Sequence, residues 1–232
     1  MNVSATSLKD FTMNFYNSSN GNVLTYIKVI AEEPGAKAAN AEPEGDEKPT
    51  DKKVIFDTTT SIVFHKGTYM GLLNAQDTKA YNLISKKTKF GQIDVKDIQT
   101  KDYFIENCSL EIVHSVPSKK IDLKNDRILC DIKITADFKI DHLESDNKDL
   151  NGLINSQNIP KELKDALSAE MKTIIEQMLE TVKGYDSDIF EIEKTLFKFH
   201  PKKYRAYKKN HPDNFLQNTD FNITIELNPV SN

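Results

Sequence analysis

No stretch of this 232-residue chain approaches the roughly 18 uninterrupted apolar residues that a membrane-crossing helix needs. The first residues, MNVSATSLKDFTMNF, contain no basic segment leading into an apolar run, so any export signal is expected outside this chain. Loops of the GxGxxG or GxxxxGKS/T kind are missing, which leaves phosphate cradling by backbone amides without support. There is no GxSxG elbow, and neither cysteine lies near a histidine in a nucleophile pattern. The five histidines, His65, His114, His142, His200 and His211, form no H-x-x-x-H or Cys/His cluster, so no metal site is expected. Basic charge is not in excess either. With 31 Lys and Arg against 35 Asp and Glu, the formal charge of −4 would not draw the chain to nucleic acid.

Cysteine is nearly absent too, with Cys108 and Cys130 the only two. Both fall on alternating apolar faces of what read as paired strands. A turn at Asn125 and Asp126 would set residue 130 opposite residue 121, leaving Cys108 about 40 Å away along the ladder. A disulfide tolerates roughly 7 Å between Cα atoms, so two buried thiols are expected instead.

What is present is the composition of a globular protein, 38% apolar and 28% charged. The length suits one principal domain with a smaller subdomain or arm. Leu8, Phe11 and Phe15 recur at helical spacing after Ser7, a suitable N-cap, and NVLTYIKVI then reads as one strand. Residues 31–53, rich in Ala, Pro, Gly, Glu and Lys, read as a flexible linker. From Val54 the character becomes β-rich, with a hairpin turn at His65-Lys66-Gly67. Asn74 stands three residues before Asp77 and predicts a helix capped there and running to about Ser85.

Strands follow from Phe90 and from Tyr103 to Val116, and then comes the clearest alternation in the chain. Ile128, Cys130, Ile132, Ile134, Ala136, Phe138 and Ile140 define one buried face, matched by Phe104, Cys108, Leu110 and Ile112. After Pro160, the residues Leu163, Leu167, Met171, Ile174, Met178, Val182 and Tyr185 predict a long helix laid on the sheet. Asp188 and Glu191 have capping-box spacing for a helix IFEIEKTLFKF, PKKYRAYKKN follows as a short helix, and FNITIEL closes as a strand. The predicted class is α+β, an antiparallel β-sheet with α-helices packed on one face.

Two charged groups merit weighing. Asp186, Asp188, Glu191 and Glu193 are the densest acids, and paired carboxylates can divide acid and base roles. Asp188 and Glu191 are better read as helix caps. The basic run Lys202, Lys203, Arg205, Lys208 and Lys209, interleaved with Tyr204 and Tyr207, is a candidate interaction surface for anionic headgroups or an acidic partner. The competing reading is a solvated helix face with both tyrosines turned inward.

DIFEIEKTLFKFHPKKYRAYKK, from Asp188 to Lys209, resembles the pattern near the end of the Ger(x)C family, the C subunits of bacterial spore germinant receptors. SIVFHKGTYMGLLNAQDTKAYNLI, from Ser61 to Ile84, is similar to that family's strand, turn, strand and capped helix. The KNDR turn and the long helix after Pro160 fall in the same order. The resemblance implies that residues 1–30 are a remnant of a preceding domain (helix and strand), and that 54–232 form the C-terminal α+β domain. It further implies a non-enzymatic subunit without a cofactor, which assembles with membrane-embedded A and B type subunits to trigger germination. Family members are anchored to the outer face of the spore inner membrane by a lipid that this chain lacks. An alternative stays open, a free-standing module binding a small molecule in a cleft between sheet and helices. An enzyme of unfamiliar type would need Asp186, Asp188 or a histidine to converge in a pocket.

Overall fold

The computed structural model describes residues 21–31, 54–85, 91–102, 104–147, 150, 158–211 and 215–230. The helix expected from Leu8, Phe11 and Phe15, and residues 32–53 of the expected linker, lie outside the described residues.

The run NVLTYIKVI forms two strands rather than one. β1 (Gly21–Thr25) pairs antiparallel with β4 (Ser61–His65), and β2 (Lys28–Ala31) pairs with β3 (Val54–Asp57). Between these pairs, Tyr26 and Ile27 face Thr58, Thr59 and Thr60, and the Tyr26 amide donates to the Thr60 carbonyl at 2.9 Å. Three residues against two is a bulge, which bends the pair and divides it between two sheets. Alternation alone could not reveal the break, because it needs the partner strand's count. β1 therefore shares a three-stranded sheet with β4 and β5 (Thr68–Leu73). The β4–β5 turn holds Lys66 and Gly67 at φ 47° and 80°, the left-handed pair that tight hairpins use.

Helix α1 (Ala75–Ile84) starts as predicted, with the Asn74 side chain accepting the Asp77 amide at 2.9 Å. The principal sheet has the order β6 (Gly91–Gln99), β7 (Phe104–Lys124), β8 (Arg127–Ser145), β9 (Thr219–Pro229). β7 and β8 form a hairpin closed by Asn125 and Asp126 at φ 50° and 60°. β7 runs well past Val116. It carries Pro117 because β6 pairs only as far as Ile112, so no ladder amide is needed on that side. Cys130 lies opposite Ile121, and Cys108 lies opposite Leu143. Both thiols are free and buried, and burial pushes each up to about 12. Ellman's reagent should accordingly leave both unreacted in the native protein and label both after denaturation. Fast labelling without denaturant would contradict this burial.

β9 departs from the antiparallel expectation by pairing parallel to β8, from Ile128 opposite Thr219 to Phe138 opposite Pro229. A parallel partner needs a long crossover, and three helices supply it. α2 (Lys161–Gly184) is the longest, and its face of Leu163, Leu167, Met171, Ile175, Met178 and Val182 is buried. It closes over Ile132, Ile134, Ala136 and Phe138 of β8 and Ile223 of β9, all at most 4% exposed and part of one core. Each of the larger side chains contributes about 1.5–3 kcal/mol by leaving water. α3 (Ile192–Phe199) and α4 (Pro201–Asn210) complete the crossover.

Candidate functional site

The connection leaving α2 is held from both sides. The Tyr185 hydroxyl donates to the Leu72 carbonyl at 3.0 Å, and the Ser187 hydroxyl donates to the Phe64 carbonyl at 2.8 Å. Gly21 in β1 lies against this connection so closely that a Cβ there would come within 2.6 Å of the Asp188 carbonyl carbon. Ile189 and Phe190 then turn into the core, 7% and 2% exposed. The Phe190 ring lies 6.1 Å from Tyr81 and 6.3 Å from Phe221, and its carbonyl accepts from the Lys119 ammonium at 2.9 Å.

That inward turn delays α3 to Ile192, three residues later than the sequence pattern suggests. Asp188 still serves as a cap. Its carboxylate, 4% exposed, accepts the Ile192 and Glu193 amides at 3.0 and 2.8 Å. Burial pushes this carboxyl up to about 6, against the opposing pull of the amide hydrogen bonds, with the Glu193 charge adding to the rise. Glu191 is not the second half of a capping box. It adopts φ 58° before the helix, and its carboxylate pairs with Lys194 at 2.8 Å.

In α4, Tyr204 and Tyr207 turn inward at 8% and 1% exposure, as in the solvated-face reading. The Tyr204 hydroxyl donates to Glu193, and Lys208 reaches the same carboxylate at 3.2 Å. Tyr207 stacks on His211 at 4.7 Å, and His211 pairs with Asp126 of the β7–β8 turn. The candidate basic residues are thus divided. Lys208 is half-buried and paired, whereas Lys202, Lys203, Arg205 and Lys209 are exposed and form no ion pair among the described residues.

A second feature is a cleft between helices and sheet, whose lining residues no local pattern marks. α1, β6 and α2 enclose a groove of about 530 Å³. Leu83, Ile93, Val95 and Met171 are among its apolar lining, and Lys79, Asp94, Lys96 and Glu170 bring charge to it. The Ser109 hydroxyl at 2.6 Å holds the Asp94 carboxyl below its usual range, helped by Lys79 at 3.4 Å. Residues on three elements far apart in sequence create this space, so no local motif could announce it.

His142 pairs with Glu144 and His211 with Asp126, at separate places. Asp186 accepts the Leu216 amide at 3.3 Å, while Asp188 is occupied with α3. Among the described residues no three His, Cys, Asp or Glu side chains gather as a metal site.

The architecture is that of an α+β scaffold presenting a helical corner and a groove. The family model for spore germination B3/GerAC-like proteins, C-terminal, matches residues 59–229, and the chain belongs to this family, the Ger(x)C germinant-receptor C-subunit domain. Among solved structures it is similar to the GerBC protein, with a TM-score of 0.65 at 15% identity. That similarity covers 96% of this chain and 60% of that one, and it shows the fold. No curated protein sequence matches. The family is one of germinant-receptor proteins in spore germination, associated with the spore membrane. No helix among the described residues is long and apolar enough to cross a membrane.

Proposed function

We propose that this domain is a non-enzymatic contact module of a nutrient germinant receptor, assembling with membrane-embedded A and B type subunits to trigger germination. The family match over residues 59–229 carries the proposal. Its place is the outer face of the spore inner membrane, where a lipid anchor would hold it. Residues 1–30 belong to the end of a preceding domain in this reading, and 54–232 form the C-terminal domain. The pairing of β1 with β4 then ties the two parts together. Lys202, Lys203, Arg205, Lys208 and Lys209 on α4 are the proposed interaction surface.

The test is affinity purification of the tagged full-length protein from spore membranes. A and B type subunits are expected to come with it in fixed proportion. Recovery of the C subunit alone under detergent conditions that preserve other membrane complexes would count against the reading.

The groove favours a second reading, a module for a small molecule, since its volume falls in the range of roughly 300–1,000 Å³ typical of ligand pockets. A thermal-shift screen against amino acids and sugars separates the two, because a ligand bound only by the folded state raises the melting point.

A further inference from the structure

The segment 194–211, KTLFKFHPKKYRAYKKNH, contains seven Lys and Arg and no Asp or Glu, in a chain where acids outnumber bases by 35 to 31. Lys194 and Lys208 are paired with Glu191 and Glu193. Lys198, Lys202, Lys203, Arg205 and Lys209 form no ion pair among the described residues. At the same corner, Phe197 and Phe199 are 52% and 64% exposed, the latter with the Lys198 ammonium 5.1 Å from its ring centre. Phe199 follows Leu196 and Ile192 at helical spacing, yet it is not drawn into the core as they are. α3 ends there, and His200 at φ −132° and ψ 50° breaks the helix before Pro201 starts α4; Phe197 rests edge-on against Tyr204 of α4 at 6.2 Å while remaining half exposed.

We propose that this α3–α4 corner docks on an anionic lipid surface, with Phe197 and Phe199 entering the headgroup region and Lys198, Lys202, Lys203, Arg205 and Lys209 meeting the phosphates. The proposal rests on the reading of α4 as an exposed contact surface. An acidic protein partner would also satisfy the cations and could bury the rings, and the co-purification arm below distinguishes it. A bilayer interface accommodates aromatic rings and long cationic side chains in one layer. Charge complementarity also selects anionic over neutral lipid.

The experiment uses the full chain with vesicles of phosphatidylcholine alone or with roughly one third phosphatidylglycerol, separated by flotation. Binding is expected only to the anionic vesicles and should fade with salt. Each surface cation strengthens such binding about fivefold, so the combined K202Q/K203Q/R205Q/K209Q variant should bind roughly 100–1,000-fold more weakly. The chain contains no tryptophan, so F199W provides a single tryptophan whose emission should shift to the blue on adding anionic vesicles. Equal binding to both vesicle types, no binding to either, or an unmoved F199W emission in the bound state would each overturn the proposal. A quadruple variant that binds vesicles normally but no longer co-purifies with the A and B type subunits would show that the corner contacts protein. That outcome removes the lipid while leaving the receptor reading in place. Loss of vesicle binding with co-purification intact supports it.

Discussion

A Phe190→Ala variant should unfold about 3–5 kcal/mol more easily than the wild type, the usual consequence of emptying a buried aromatic site. The ring is 2% exposed and wedged between Tyr81 of α1 and Phe221 of β9, so its loss loosens three elements together. It also sits just beyond Asp188, whose carboxylate organises α3, and its carbonyl receives Lys119 from β7. Removing the ring should therefore weaken the attachment of the helical corner as well as overall stability. Urea denaturation measures the loss, and hydrogen exchange at the amides of α3 and α4 should rise more than in the centre of β8. Phe199→Ala is the matched control. With its ring 64% exposed, it should change stability by about 0.5 kcal/mol or less. Equal losses for the two variants would mean that Phe190 does not anchor the corner.

Asp188 predicts an unusual dependence on pH. Its folded-state carboxyl titrates at about 6, above the ordinary 3.8. Between those values the native state holds a proton that the unfolded chain has released, so this group stabilises the fold fully below the unfolded value. That contribution is lost as pH rises through about 6. The difference amounts to about 3 kcal/mol. Asp188→Asn keeps an acceptor for α3 but cannot ionise. Its stability relative to wild type should climb by about that amount from pH 3 to pH 7. Asp94, Asp122, Asp220 and Glu226 have depressed values and act in the opposite sense, destabilising the fold in acid, but they are common to both proteins. Asp188→Ala should be less stable at every pH, since the Ile192 and Glu193 amides lose their acceptor at about 1–3 kcal/mol each. A wild-type minus Asn difference that stays flat with pH would show Asp188 to be solvated and refute the burial argument.

Much of the architecture was readable wherever a local rule governs it. Asn74 and Asp77 announce α1 because an N-cap needs only an acceptor and an amide three residues on. Asn125 and Asp126 close the β7–β8 hairpin because they tolerate positive φ, and alternation then sets Cys130 opposite Ile121. The order of the motifs around Ser61–Ile84 and Asp188–Lys209 was enough to point to the family, and the match over 59–229 agrees. The misses have a common origin. Asp188 caps α3 as its sequence position suggests, but Glu191 does not complete a capping box and the helix starts later, because Ile189 and Phe190 prefer the core to the first helical turn. The exposure of Phe197 and Phe199 is likewise invisible to periodicity, which counts residues without knowing whether anything packs above them.

The sequence by itself determined the turns, the helix caps, the alternating faces and the segregation of positive charge into residues 194–211, because each is settled by neighbours a few positions away. Only the tertiary structure decided that NVLTYIKVI breaks between two sheets and that β9 runs parallel to β8. It alone opened the groove between α1, β6 and α2, and left Phe197 and Phe199 beside cations that form no ion pair among the described residues. Strand direction, cavity shape and exposure arise from contacts between segments separated by many residues. The packing of α2, α3 and α4 against the sheet selects those contacts, and no periodicity within any one segment encodes them.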